Sequence, residues 1–294
     1  ASIMTAALEL AFGLPLWIGY IVSSVVVIPL VTHGVTWISR FQLLTQPFWI
    51  VLNVLPVGFI LWADWGSVAA WTAFPGLDDP TGGNTLDILK FGAAASVILA
   101  LMPQIGEQVD ILRFLPSQRA KAGRSWWFSL VAAGPGWIVL GAPKLVFGSF
   151  LAVLALRHGV SPEHAAEPAY MYDVAFGFVL PSPVLAAWLT AGFVVVSQLK
   201  INVMNAYAGS LAWSNFFSRL THSHPGRVVW LLFNVAIALL LMELGIYGAL
   251  EVTFGLFANV AVAWLGAIVA DLAINKPLGL SPPGIEFKRA HLYD

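Results

Sequence analysis

Seven long apolar runs constrain this chain more than any other feature of its sequence. Each run is about 20 residues or longer, and their approximate limits are 6–32, 43–62, 88–109, 126–156, 174–212, 228–247 and 249–272. A run of this length crosses the hydrocarbon core of a bilayer as an α-helix. The runs therefore predict an all-α, polytopic helical membrane protein with about seven transmembrane helices.

The scarcity of charge excludes several classes of protein. Only 10% of the residues are charged and 59% are apolar, whereas a soluble domain carries about 25% charged residues. Such a chain cannot cover its surface with polar groups, so an ordinary soluble enzyme, a disordered chain and a nucleic-acid binder are excluded. The predicted surroundings are a lipid bilayer, and no nucleic acid is expected as a partner.

The distribution of basic residues predicts an orientation. Ten of the fourteen lysines and arginines lie in the connections 33–42, 110–125, 213–227 and 273–294. The connections 63–87 and 157–173 hold seven acidic residues and one basic residue, Arg157. Because basic loops stay on the cytoplasmic side, the chain is expected to enter from outside and to finish inside. We interpret residues 1–294 as one transmembrane domain, and both ends suggest the middle of a longer protein.

Polar residues near the end of the third run predict a binding site. Pro103 removes a backbone donor and Gly106 permits unusual dihedral angles. Gln104, Glu107 and Gln108 are polar at or near membrane depth. An interrupted helix is tolerated there where it lines a cavity or is buried in protein. The alternative is a proline kink whose polar residues mark the cytoplasmic end of the helix.

The fifth run carries a second set of polar residues. Lys200 lies late in the run, and ionisable groups within a membrane are functional candidates by default. Asn202 and Asn205 are three residues apart and are expected to share a helix face. Their amides match the polar edge of a heterocycle. The alternatives are hydrogen bonding between helices for the asparagines and a Lys200 side chain that reaches for the cytoplasmic interface.

Other polar residues favour structural roles. The fourth run is expected to be interrupted at Gly134 to Gly136 and again at Pro143 and Lys144. Lys144 is expected to pair with a buried carboxylate or to line a path. The six histidines fall in predicted loops, and no catalytic or metal-ligating constellation occurs. The sequence predicts neither an enzyme, nor a metal site, nor a resident cofactor.

Three segments resemble the nucleobase:cation symporter family one, the purine–cytosine permease family that includes the hydantoin permease. Residues 107–114 end in Asp110-Ile111-Leu112-Arg113-Phe114, which is similar to the Asp-x-x-Arg-Phe signature at the inner end of family helix six. Asn202 to Tyr207, with Gly209 and residues 214–219, resembles helix eight and its exit. Residues 36–41 resemble the turn between helices four and five.

The resemblance implies a five-plus-five inverted-repeat transporter fold of twelve helices, of which the seven runs match helices four to ten. Helices one to three are then expected before Ala1, and two more after Asp294. It also implies that helix six is broken at the substrate site. Helix eight supplies a substrate-binding asparagine and part of a sodium site.

The chain departs from the family pattern at two places. Residues 99–102 read Leu-Ala-Leu-Met, so the tryptophan that often stacks on the base in helix six is absent or displaced. Lys200 lies near the place of the sodium site. A fixed ammonium there puts sodium coupling in doubt and favours proton coupling or none.

Two functions remain open from the sequence. The first is a permease core in the bacterial cytoplasmic (inner) membrane that moves a purine, pyrimidine, hydantoin or allantoin-like compound by alternating access. The expected substrate-binding residues are Gln104, Gly106, Glu107, Gln108, Asn202 and Asn205, with Pro103 as the helix break and Lys200 at the cation or coupling site. The second is a transporter-like ligand-sensing domain of a larger signalling protein such as a histidine kinase.

Overall fold

The computed structural model describes residues 1–77, 87–102, 106, 110, 112, 114, 123–134, 136–222, 225–245 and 247–282. Across those residues the regular secondary structure is helical. The α-helices in chain order are α1 (Ser2–Phe12), α2 (Leu16–Val25), α3 (Val27–Thr32), α4 (Val35–Ala63), α5 (Gly66–Thr72), α6 (Ile88–Leu101), α7 (Arg124–Ala133), α8 (Trp137–Arg157), α9 (Pro168–Gly177), α10 (Pro183–Thr221), α11 (Arg227–Glu243) and α12 (Tyr247–Ala270). A π-helical turn, Asp271–Asn275, follows α12.

The chain forms two compact units. The first contains residues 1–84 and 117–246, and the second contains residues 85–116 and 247–294. In the first unit, α10 packs against α1, α3, α4, α9 and α11. In the second unit, α6 packs against α12.

Three helices in the described ranges are long and apolar enough to cross a membrane. They are Val35–Ala63, Pro183–Thr221 and Leu256–Asn275, and they overlap the second, fifth and seventh predicted runs. The all-helical class and its membrane-spanning character are thus supported by helix length and hydropathy. The seven-span threading and the inverted repeat stay predictions.

The first predicted span, 6–32, is wrong as a single helix. Helix α1 ends at Phe12, because Gly13 adopts a left-handed conformation (φ 64°) and donates its N–H to the Glu9 carbonyl at 2.8 Å. Pro15 follows and caps α2. A glycine in the left-handed conformation followed by a proline strongly favours the end of an α-helix. The length of an apolar run does not reveal such a helix end.

Two other predicted limits are corrected by the structure. The fifth run, 174–212, begins inside α9 and is interrupted at 178–182, after which α10 continues to Thr221. The connections predicted at 33–42 and 213–227 are largely helical, since α4 begins at Val35 and α10 extends past residue 212. The predicted interruption at Gly134 to Gly136 does separate α7 from α8. The interruption predicted at Pro143 and Lys144 is wrong, because both residues lie within the continuous helix α8.

Helix α4 is continuous although it contains Pro47 and Pro56. Each proline lacks the N–H of one helical hydrogen bond, and Pro56 is fully buried. Isolated prolines in membrane helices are tolerated where neighbouring groups satisfy the freed carbonyls. Helix α4 therefore continues without a break through both prolines.

An ion-paired cluster joins the ends of α4, α5 and α8. Arg157 donates to the Ser67 hydroxyl, which donates in turn to the Asp64 carboxylate. The Arg157 guanidinium lies 3.7 Å from the same carboxylate, and the Ser67 N–H reaches it at 3.2 Å. The hydrogen bond from Ser67 and the nearby Arg157 lower the pKa of Asp64 below its usual range.

We expect this cluster to stabilise the fold above the acid range. A carboxyl whose folded pKa is lowered stabilises the protein above its unfolded pKa of about 3.9, and this contribution is lost as the pH falls through the folded value. Ser67→Ala should lower the thermal midpoint at neutral pH, and the difference from wild type should shrink below about pH 4. Ser218→Ala is the matched control, because its hydroxyl bonds to the Asn215 carbonyl in its own helix. A difference that stays constant to low pH would contradict the assignment.

Close packing of α1 on α2 depends on Gly19. A Cβ atom added there would lie 2.3 Å from Cγ2 of Thr5, a buried residue whose hydroxyl lies 3.1 Å from that of Ser23. Gly58 in α4 has nothing within 4 Å of the same added atom.

Gly19→Ala is therefore expected to lower the free energy of unfolding by about 1–3 kcal/mol through overpacking. Gly58→Ala should be neutral or raise it by roughly 0.5–1 kcal/mol, because alanine favours helix over glycine. Thermal unfolding of both variants in detergent provides the comparison. Equal effects at the two glycines would show that α1 and α2 are not packed this closely.

Candidate functional site

Helix α10 carries two buried apolar clusters with polar residues between them. The first cluster includes Ala186, Phe193 and Val194, and the second includes Val203 and Ala206. The residues between them that have buried polar atoms or a buried side chain are Ser197, Lys200 and Asn202. We call these three, together with Gln42 and Thr45 of α4, the polar band.

The polar band lies in the middle of a long helix. Asn202 is the central residue of the 39-residue α10, which is about 58 Å long at 1.5 Å per residue. Such a helix is longer than the hydrocarbon core of a bilayer, which is about 30 Å thick. A polar group halfway along it is therefore at membrane depth when the helix spans symmetrically.

The buried ammonium of Lys200 is held by α4. Lys200 is 9% exposed, and its Nζ donates to the Gln42 carbonyl at 3.0 Å and to the Thr45 hydroxyl oxygen at 3.2 Å. Gln42 Nε2 donates in return to the Lys200 carbonyl at 2.8 Å. In the part of the chain that the structure describes, no carboxylate forms a salt bridge with Lys200. Among the described residues, the positive charge is therefore solvated by the dipoles of a carbonyl and a hydroxyl group and not by a carboxylate.

Asn202 faces a different neighbour and is only partly satisfied. Its Oδ1 accepts a hydrogen bond from the Ala1 nitrogen at 3.4 Å, beside α1. Its Nδ2 is buried and has no hydrogen-bond partner among the described residues, and the same holds for the Ser197 hydroxyl. An unpaired buried donor costs about 1–3 kcal/mol. The amide nitrogen of Asn202 is thus a buried donor whose hydrogen-bonding capacity is unused among the described residues.

The two predicted asparagines differ in their surroundings. Asn202 is half-buried, whereas Asn205 is exposed. Lys200 and Asn202 are two residues apart, and side chains at that spacing do not share a helix face. The structure therefore arranges these groups around α10, with Lys200 toward α4 and Asn202 toward α1.

The predicted site at the end of the third run is described only in part. Pro103, Gln104, Glu107 and Gln108 lie outside the described residues. Gly106 belongs to the second unit and is exposed. Helix α6 ends at Leu101, and the helix break at Pro103 stays a prediction.

Sequence reasoning missed Gln42 and Thr45. The predicted apolar run begins at residue 43, which leaves Gln42 in the predicted connection 33–42. Gln42, Thr45 and Gln46 follow the spacing i, i+3 and i+4, which places them on one face of a helix. This polar face on an apolar helix is the signal that could have found them.

Lys144 has a partner of another kind than expected. Its Nζ lies 4.3 Å from the centroid of the Trp49 ring, which is a cation–π contact between α8 and α4. Among the described residues there is no cluster of three or more histidine, aspartate or glutamate side chains suited to a metal ion.

Comparisons with protein-family models, with curated proteins and with solved structures find no match to the chain. The interpretation of the site accordingly rests on the geometry of the polar band and on the sequence.

If Lys200 serves function and not stability, Lys200→Met should keep or raise the thermal midpoint. A methionine of similar length fills the space without an ammonium to desolvate, and replacing buried charge by apolar groups is often neutral or stabilising. Gln42→Leu should instead lower the free energy of unfolding by about 1 kcal/mol, since the Lys200 carbonyl loses a donor. Thermal unfolding in detergent measures both variants. A marked loss of stability in Lys200→Met would assign the lysine a structural role.

Proposed function

We propose that the chain is the core of a membrane permease for a nucleobase or a related heterocycle. In this proposal the full protein acts in the bacterial cytoplasmic membrane by alternating access, within a five-plus-five inverted-repeat fold. The proposal is supported by the helical, apolar character of the chain and by polar groups in the middle of a membrane-length helix. Such groups are characteristic of sites for polar solutes within membranes.

One observation carries the proposal, namely the buried amide nitrogen of Asn202, which has no hydrogen-bond partner among the described residues. A buried donor without a partner is unfavourable, and a ligand carbonyl placed there would remove the penalty. Purines, pyrimidines and hydantoins that carry ring carbonyls offer such acceptors. The Ser197 hydroxyl, also buried and unpartnered in the described part of α10, adds a second donor or acceptor nearby along the helix.

Lys200 bears on the coupling of transport. Its ammonium already occupies a place among a carbonyl and a hydroxyl oxygen, and oxygen ligands of this kind are what a bound sodium ion would use. The ammonium of Lys200 is part of the chain and would supply the positive charge that a bound sodium ion otherwise supplies at this place. We therefore propose proton coupling or uncoupled transport in place of sodium symport.

The same contact favours the second candidate function, a ligand sensor. A cation fixed by α4 lets α10 bind a solute without using an ion gradient. A sensor would bind the heterocycle in the full-length protein and would not move it across the membrane. Binding and uptake measured side by side separate these two functions.

The test uses the full-length protein in proteoliposomes with radiolabelled uracil, hypoxanthine, hydantoin and allantoin. Asn202→Ala should weaken binding of the accepted compound about 3–10-fold, the equivalent of one lost hydrogen bond. Asn205→Ala should have a smaller effect, because Asn205 is exposed. Unchanged affinity in Asn202→Ala, or no binding of any of the four compounds, would overturn the proposed site.

Lysine variants test the coupling in the same vesicles. Lys200→Met should abolish any dependence of uptake on a proton gradient and leave equilibrium exchange intact. Lys90→Met is the matched control, because Lys90 is an exposed lysine at the start of α6, outside the polar band. Uptake that follows a sodium gradient in the wild-type protein would contradict the role assigned to Lys200.

A further inference from the structure

We propose that a groove at the end of α10 binds the headgroup of an anionic phospholipid. The groove is an open depression of about 460 Å³, and the described residues that line it lie on one face of α10: Asn215, Phe216, Arg219 and Leu220. This proposal does not depend on the proposed transport or sensing function.

The chemistry of the lining combines one cation with an amide and two apolar side chains. Arg219 is exposed, and no described carboxylate forms a salt bridge with it. Asn215 lies four residues before Arg219, so the amide and the guanidinium are neighbours on one helix face. Phe216 is 55% exposed and Leu220 is 66% exposed. The guanidinium and amide suit a phosphate, and the exposed ring and leucine suit the first carbons of an acyl chain.

The depth of the groove matches a lipid headgroup. Asn215 lies thirteen residues after Asn202, about 20 Å along the helix. When Asn202 lies near the midplane of the bilayer, the groove lies at the headgroup region, which begins about 15 Å from the midplane. Side chains of a helix lean toward its N-terminus, so Arg219 points back toward this region.

Neighbouring aromatic rings are typical of the membrane interface. Phe216 contacts Trp213 and Phe217, with ring centroids 6.3 and 5.2 Å apart. Phe217 stacks on Trp230 of α11 at 4.5 Å. Aromatic belts lie at the headgroup level, and the basic residues of this segment predict the cytoplasmic side, where anionic lipids attract arginine. The charge and the apolar surface together select a phospholipid over a free anion.

Arg227 shows by contrast why Arg219 is the binding group. Arg227 donates to the Val31 carbonyl at 3.4 Å, and its guanidinium carbon lies 5.0 Å from the centroid of the Tyr207 ring. Its charge is thus engaged within the protein. Arg219 lines the groove with its charge directed to the surroundings.

Native mass spectrometry of the full-length protein in mild detergent provides the test, with added dioleoylphosphatidylglycerol and dioleoylphosphatidylcholine. The wild-type protein should retain the glycerol lipid over the choline lipid by about fivefold, the effect of one basic residue at an anionic membrane surface. Arg219→Gln should abolish this preference, and Arg219→Lys should keep part of it. Arg40→Gln is the matched control, because Arg40 is exposed on α4 and does not line the groove.

Three results would overturn the proposal. Equal retention of the two lipids by the wild-type protein would show an apolar contact without headgroup recognition. An equal effect of Arg40→Gln would show attraction by overall charge. Complete displacement of the lipid by excess inorganic phosphate would show that the groove binds a free anion. If Arg219→Gln fails to fold, Asn215→Asp places a negative charge in the groove and should abolish the preference as well.

Discussion

The first unit is built around α10, whose apolar residues before and after Lys200 are buried in two clusters. Five helices pack against α10, namely α1, α3, α4, α9 and α11. A buried ammonium must find oxygen atoms within the protein, because in lipid it has no water to replace them. Gln42 and Thr45 supply those atoms, and this requirement fixes the register of α4 against α10.

The contact of Lys200 with α4 answers one alternative that the sequence leaves open. A lysine late in an apolar run can extend to the cytoplasmic interface, yet here the side chain is buried and turns to a carbonyl of the adjacent helix. The asparagine alternative is answered differently. Asn202 does bond to the segment beside α1 through Oδ1, but its amide nitrogen keeps an unused donor. One amide therefore contributes to helix association and still has capacity for a ligand.

The sequence predicts the class of the fold well and its helix limits unevenly. Apolar runs and the scarcity of charge are sufficient to predict a helical membrane protein, and the two glycines and one proline at 134–136 mark a real interruption. The count of apolar residues fails at 6–32 because Gly13 and Pro15 end a helix without changing hydropathy. It fails at 33–42 for the opposite reason, since Thr36, Ser39 and Arg40 are polar residues that α4 carries on its exposed side. The candidate site was half predicted: Lys200 and Asn202 stand out in an apolar run, whereas their partners depend on packing between segments about 160 residues apart.

The polar contacts of α10 with α4 and with the segment beside α1 differ in the number and length of their hydrogen bonds. This difference bears on which of the two contacts changes when a solute binds. The contact with α4 consists of three hydrogen bonds of 2.8–3.2 Å. The Lys200 ammonium donates two of them, and Gln42 Nε2 donates the third to the Lys200 carbonyl. Among the described residues, the polar contact of Asn202 beside α1 is a single hydrogen bond of 3.4 Å, and the amide nitrogen next to it has no partner. At this level the polar contact of α10 with α4 therefore has more and shorter hydrogen bonds than its polar contact beside α1. In the proposed function, a solute that pairs with Asn202 would act on the contact that has one hydrogen bond, and the contact between α10 and α4 would stay in place.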